Sequence, residues 1–225
     1  MSLLKTIFPG LENVISNYDL PSWGDESAPW NILSPTNENS IINQIKSLDI
    51  KYNFDYAKFK NSNFDTSEGP IHIHPTSKIG DYVRIEGPCF IGKDAEIRHA
   101  AYLRKGSWIS DNAIVGHCSE IKNSILLPGA KAPHFNYVGD SILGFGINIG
   151  AGVKLSNVRN DGRSILVYLK DGTKINSGLK KFGALIGDKT EIGCNVVSNP
   201  GTILEPMARI NPNQTLSGWN PKFEY

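Results

Sequence analysis

The hydrophobic pattern of this chain changes character near residue 71. From "IHPTSKIGDYVRIEGPCF" onward a branched aliphatic returns at every sixth position, at Ile73, Ile79, Ile85, Ile91, Ile97, Leu103, Ile109, Val115 and Ile121. With Ile, Leu and Val at roughly a quarter of the residues, nine hits in one frame arise by chance about once in a few hundred thousand trials, so the period is a property of the sequence. Small or modest residues follow four positions after each aliphatic: Ser77, Val83, Cys89, Ala95, Ala101, Ser107, Ala113, Ser119 and Ile125. A helix repeats near 3.6 residues and a lone strand near 2, so neither makes this pattern. Short strands joined by sharp corners do. The pattern predicts a parallel β-helix whose hexapeptide rungs need neighbours to bury their aliphatic column.

The frame slips after Leu127, returns at Leu143, Ile149 and Leu155, and resumes after a second break at Ile186, Ile192, Ser198, Leu204 and Ile210. Each slip predicts an excursion from the solenoid, at about 128–141 and 158–182, and loops on a rigid scaffold are where function concentrates. The second excursion, "SILVYLKDGTKINSG", has the pattern of a hairpin turning at Lys170, Asp171 and Gly172. Residues 1–70 lack the period. They contain a helix candidate, "NENSIINQIKSL", with Ile41, Ile42, Ile45 and Leu48 along one side. This segment is expected to be a partly helical cap over the open end of the solenoid, with a separate binding module as the alternative. Residues 71–215 then form the β-helix and 216–225 a C-terminal tail.

Composition narrows the partners. Twenty-three basic against 22 acidic residues give a net charge of +1, so no global field draws the chain to nucleic acid or an anionic membrane, and any anion site is local. The first twenty residues lack the apolar core of a signal peptide, and no run approaches a membrane span. Cys89, Cys118 and Cys194 are odd in number and far apart, which fits a reducing compartment. A cytoplasmic location is the expectation.

The rungs resemble those of hexapeptide-repeat acyltransferases. That resemblance implies a left-handed parallel β-helix in which three rungs make one eighteen-residue coil, so residues eighteen apart stack at about 4.8 Å. Arg104 and Lys122 are eighteen apart, each just after an inward aliphatic. Two stacked cations repel unless something negative faces them, which points to an anion site; two solvated side chains on an outer face are the alternative. His99 and His117 share the same spacing, and His134 follows seventeen later. A histidine ladder invites a zinc reading and a γ-carbonic-anhydrase-like enzyme. That family's metal histidines are differently spaced, however, and no metal is expected. The glycines of "GFGINIGAG" (Gly144, Gly146, Gly150, Gly152) lack dinucleotide-fingerprint spacing and are read as corner residues.

From Arg104 to Asn157 the stretches "YLRKG", "SEIKN", "APHFNYVGD", "GINIGAG" and "LSN" resemble, at matching spacing, the acetyltransferase domain of the bifunctional enzymes that make UDP-N-acetylglucosamine. The resemblance implies that His134 is the general base for the amine of an amino-sugar phosphate, that Glu120 orients its imidazole, and that Asn157 positions the acetyl group of acetyl-CoA. Arg104, Lys122, Tyr137 and Asn148 would bind the sugar phosphate, and Ala151 and Cys194 would line the coenzyme channel. It also implies a homotrimer with sites between chains. Three departures stand beside it. Cys194 occupies a serine position, the basic C-terminal arm is reduced to "SGWNPKFEY", and a substrate-binding basic residue beyond Asn157 has only Arg159 or Arg163 as substitutes. Residues 1–70 lack the Gly-rich loop of the family's uridylyltransferase domain, so nucleotidyl transfer is not expected. Acyl transfer to an amino-sugar phosphate or sugar nucleotide is the leading expectation. A non-catalytic sugar-phosphate or sugar-nucleotide binding protein is the runner-up, and a metal enzyme comes third.

Overall fold

The computed structural model describes residues 2–13, 19–50 and 52–221. The hexads form short strands that pair in parallel with the strands one coil away, giving three sheets of eight, eight and seven strands around one interior. The result is a mainly β, parallel solenoid of about nine turns, the three-sided architecture of a left-handed β-helix. The first face carries Tyr102–Leu103, Glu120–Lys122, Tyr137–Gly139, Lys154–Leu155 and Val197–Ser198 among its strands. The second includes Cys89–Ile91, Ser107–Ile109, Ser124–Leu126, Ile142–Leu143 and Ala184–Ile186. The third includes Glu96–Ile97, Ile114–His117, Lys131–His134, Asn148–Ile149 and Glu191–Ile192. All nine aliphatics of the predicted column line the interior, with Ile79 only partly buried.

Most rungs end in a residue of left-handed backbone conformation. Ala100, Asn112, Cys118, Phe135, Asn195 and Met207 are among the non-glycine residues with φ between +51° and +61°. Such a conformation costs an L-residue roughly 1–2 kcal/mol, less for Asn and Asp, and stacked neighbours on both sides hold it in place.

The first predicted excursion is not one. Leu103 pairs with Ile121, a step of eighteen, but Ser107 pairs with Ser124 and Leu126 with Leu143, steps of seventeen. One residue is missing from the corner after Ile121 and again from the corner after Val138. The inward column therefore runs Ile121, Leu126, Ala132, Val138, Leu143. Residues 131–134 and 137–139 are ordinary strands of the solenoid. The shortening also turns Ile125 outward, and Ser124, fully buried, takes its inward place. The second excursion does leave the solenoid, after Leu155. It contains an antiparallel hairpin, Leu166–Tyr168 with Lys174–Asn176, and returns at Ala184.

Most of the N-terminal segment covers a side rather than an end. The outward residues of the second face, Phe90, Trp108, Ile125, Ile142, Leu185 and Ile203, are fully buried in a second core. Leu4, Ile7, Phe8, Trp30 and the helix Ile41–Ser47 pack over them, joined by Ile165, Val167 and Phe182 from the excursion. That helix is the one the sequence predicts, and Ser40 caps it by accepting from the Asn43 backbone N–H. Among the described residues it is the stretch after Tyr52 that closes the solenoid end, where Phe54 and Phe64 pack on the interior and Tyr56 and Phe59 on them. At the other end the predicted tail of 216–225 still belongs to the last coil as far as Asn220, since Trp219–Asn220 pairs with the second face, and 222–225 lie outside the described residues. The Trp219 indole N–H donates to Glu205, which also receives Lys170 from the hairpin at 2.9 Å.

One buried carboxylate ties the N-terminal cover to a corner. Asp188 accepts from the Gly10 N–H at 2.7 Å and from the Phe145 N–H at 2.8 Å. Burial pushes its carboxyl above the usual range, and the two backbone donors act against that. Replacing Asp188 with Ala orphans both amides. Denaturant unfolding should show a loss on the order of 2 kcal/mol, with faster hydrogen exchange at Gly10 and Phe145. Unchanged exchange at both amides would refute the clasp.

Candidate active site

The shortened corner sets the geometry of the first face. Lys122 is followed at once by Asn123, and Gly139 by Asp140, both second members with positive φ. One coil further the chain reads Ser156, Asn157 before departing into the excursion. Coil stacking therefore places Asn123, Asp140 and Asn157 above one another. The Asp140 carboxylate accepts from the Asn123 amide at 2.8 Å, from the Asn157 amide, and from Lys122 Nζ at 2.8 Å. Lys122 is 15% and Asp140 4% exposed at the side chain, so this is a buried pair.

The predicted cations thus already hold counter-charges. Arg104 donates to Glu120 at 2.9 Å, and its guanidinium lies 5.9 Å from the Tyr102 ring centroid. Lys122 holds Asp140. The negative group that the stacked cations demand is, in this chain, supplied by two of its own carboxylates. Arg104 and Lys122 share the lining of a cavity of about 270 Å³, together with Tyr102 and Glu86. Tyr137 stands one coil above Glu120, half-buried, and desolvation followed by the charge of Asp140 raises its pKa. Its hydroxyl and the Asn157 amide close over Gly139, where an added Cβ would meet Tyr137 Oη at 2.6 Å and Asn157 Nδ2 at 2.7 Å.

His134 sits at the corner where the third face turns into the first. Its strand pairs with His117 below, and His117 in turn stacks on His99 with ring centroids 5.4 Å apart. The corner is built by Asn136, which accepts from the His134 backbone N–H at 3.0 Å and donates to the Gly150 carbonyl at 2.7 Å. The His134 ring is exposed. Among the described residues it makes no hydrogen bond, and the Glu120 carboxylate expected to orient it is bound to Arg104 instead. Ladder bonds run from Gly152 N–H to the His134 carbonyl and from Asn195 N–H to the Ala151 carbonyl. These put Ala151 directly over His134 and Cys194 over Ala151, a column of small side chains above the imidazole.

Asn148 falls elsewhere. It is on the third face, beside Lys131 and Glu191, and donates to Glu191 at 3.4 Å. Arg159 and Arg163 both bind Asp161, at 2.6 and 2.7 Å, and those hydrogen bonds hold its carboxyl far below the usual range. Among the described residues no group of three or more His, Cys, Asp or Glu could hold a metal ion, so the histidine ladder is a stack without a ligand set. No helix among them is long and apolar enough to cross a membrane.

Sequence reasoning missed Asp140 and Asn136. The signal for Asp140 was present, because it follows Lys122 by the same spacing that links Lys122 to Arg104. Removing its carboxylate strands a buried ammonium. Asp140→Ala should destabilise by about 3–5 kcal/mol, read by denaturant unfolding. Asp140→Asn should cost less. An Ala variant as stable as the parent would show that Lys122 reaches solvent unaided.

The model of the GMPPB C-terminal domain matches residues 85–179. A bifunctional sugar-1-phosphate nucleotidylyltransferase/acetyltransferase of Sulfurisphaera tokodaii is 34% identical over 213 residues, covering 87% of this chain and 46% of that protein. The bifunctional protein GlmU of Methanococcus aeolicus is 34% identical over 209 residues, covering 85% of this chain and 44% of its own length. An Escherichia coli protein described as the uncharacterized acetyltransferase YaiX is 30% identical over 148 residues, 66% of this chain and 64% of that one. The chain spans under half the length of the two bifunctional relatives. By the hexad ladder, the solenoid it builds and these matches, the chain is similar over most of its length to GlmU-type bifunctional proteins and is consistent with a hexapeptide-repeat acetyltransferase domain.

Proposed function

We propose that this chain transfers an acyl group from a CoA thioester to the amine of an amino-sugar phosphate at the His134 corner. One observation carries the reading: an exposed imidazole lies at the edge of the face bearing Arg104, Lys122 and Tyr137, directly beneath the small column of Ala151 and Cys194. A sugar phosphate on Arg104 brings its amine toward His134, while a thioester descending past Ala151 meets it from above. Neutral His134 takes a proton as the amine nitrogen attacks the thioester carbonyl. The N–C bond forms, the C–S bond breaks, and the imidazolium returns its proton to the departing thiolate. Arg104 uses only Nη1 on Glu120, which leaves further N–H donors for a phosphate.

The position of Asn148 supports a homotrimer. A second copy presenting its third face to the first would bring Asn148 to a sugar bound there. The second face is already covered by the chain's own N-terminal segment, so the first and third faces are the two that remain for a head-to-tail ring. The counter-ions on Arg104 and Lys122, with Cys194 in the coenzyme column, favour a second reading in which sugar phosphate or sugar nucleotide is bound without turnover.

Incubation with acetyl-CoA and glucosamine 1-phosphate should release free thiol. His134→Ala should lower kcat by about a hundredfold or more at unchanged Tm. A variant as active as the parent removes His134 from the mechanism. Sugar-phosphate binding with no thiol release would leave the second reading standing.

A further inference from the structure

A second cavity, of about 380 Å³, opens where the N-terminal cover, the shortened corner and the exit of the excursion meet. Leu33 and Ile42 come from the cover and Leu179 from the excursion, giving it an apolar wall. Lys105, Lys122, Lys180 and Lys181 also line it. Two of these cations are matched, Lys122 by Asp140 and Lys105 by an exposed Glu68 at 2.6 Å. Lys180 and Lys181 are adjacent and exposed, lie between the buried Leu179 and Phe182, and make no ion pair among the described residues.

We propose that this cavity binds a small amphipathic anion, a phosphate or carboxylate carried on a compact apolar body the size of one aromatic ring. Each half of the pocket asks for half of such a ligand. An inorganic anion would neutralise the paired lysines and leave the apolar wall wet; a neutral apolar molecule would cover the wall and leave two like charges unmatched. The volume suits a ligand of that size. Lys105 and Lys122 line both this cavity and the 270 Å³ cavity beside Arg104, whereas Lys180 and Lys181 line this one and not that one. The proposal does not depend on the acyl-transfer reading.

Isothermal titration with phenyl phosphate tests it. Phenyl phosphate should bind at least about tenfold more tightly than inorganic phosphate or phenol, a difference of about 1.4 kcal/mol or more. The double variant Lys180→Glu/Lys181→Glu changes two exposed side chains. It should lose that binding by about tenfold or more while keeping the parent's Tm and its affinity for glucosamine 1-phosphate. Arg104→Ala should do the reverse. Equal affinity for inorganic and phenyl phosphate, or undiminished phenyl phosphate binding by the double variant, overturns the proposal. Failure of glucosamine 1-phosphate to bind, with phenyl phosphate behaving as expected, would sink the sugar-phosphate reading and leave this site intact.

Discussion

Everything in this molecule depends on the register of one coil upon the next. Parallel rungs bond only to the coil above and below, so a side chain's neighbours are fixed by counting along the chain. Removing one residue from a corner, twice at the same edge, keeps the interior column filled while moving the outer residues. It brings Asn123, Asp140 and Asn157 into a vertical polar ladder behind Lys122, and it faces Ile125 and Ile142 into the second core. A loop was not needed to build the site. A shortened corner was enough.

The interior was legible because its period is strict: each of the nine aliphatics from Ile73 to Ile121 lines it. The outer packing was legible too, but in a signal that alternation obscures. Phe90, Trp108, Ile125, Ile142, Leu185 and Ile203 each precede an inward aliphatic, making adjacent apolar pairs such as Phe90–Ile91 and Trp108–Ile109. Adjacent apolar residues in a strand mean burial on both faces, and here they mark the side that the N-terminal segment covers. A cap was expected because a solenoid end must be closed. Phe54 and Phe64 do that, yet a face with six large apolar residues demanded more cover than the end did. The frame slip was misread because a missing residue and an inserted loop break a period alike; only pairing partners such as Ser107 with Ser124 distinguish them.

For the site, spacing found the stacked cations and the imidazole but could not say what neutralises them. Burial decides that. A lysine 15% exposed beside a carboxylate 4% exposed is a paired group before it is an anion trap, and a substrate phosphate must compete with that pairing. Arg104, more exposed and singly bonded to Glu120, is the freer of the two cations. The same geometry puts Asn148 on the third face rather than the first, and the proposed homotrimer is the arrangement that would bring it back to the sugar.

The proposed reaction takes place at an edge shared by two copies, with His134 from one and Asn148 from the other. A crystal structure with glucosamine 1-phosphate bound tests it most directly. The phosphate should lie on Arg104 and Lys122, the amine within hydrogen-bond reach of the His134 ring, and Asn148 of a neighbouring copy on the sugar. A sugar phosphate held entirely by one chain, or lying away from the His134 corner, would contradict it.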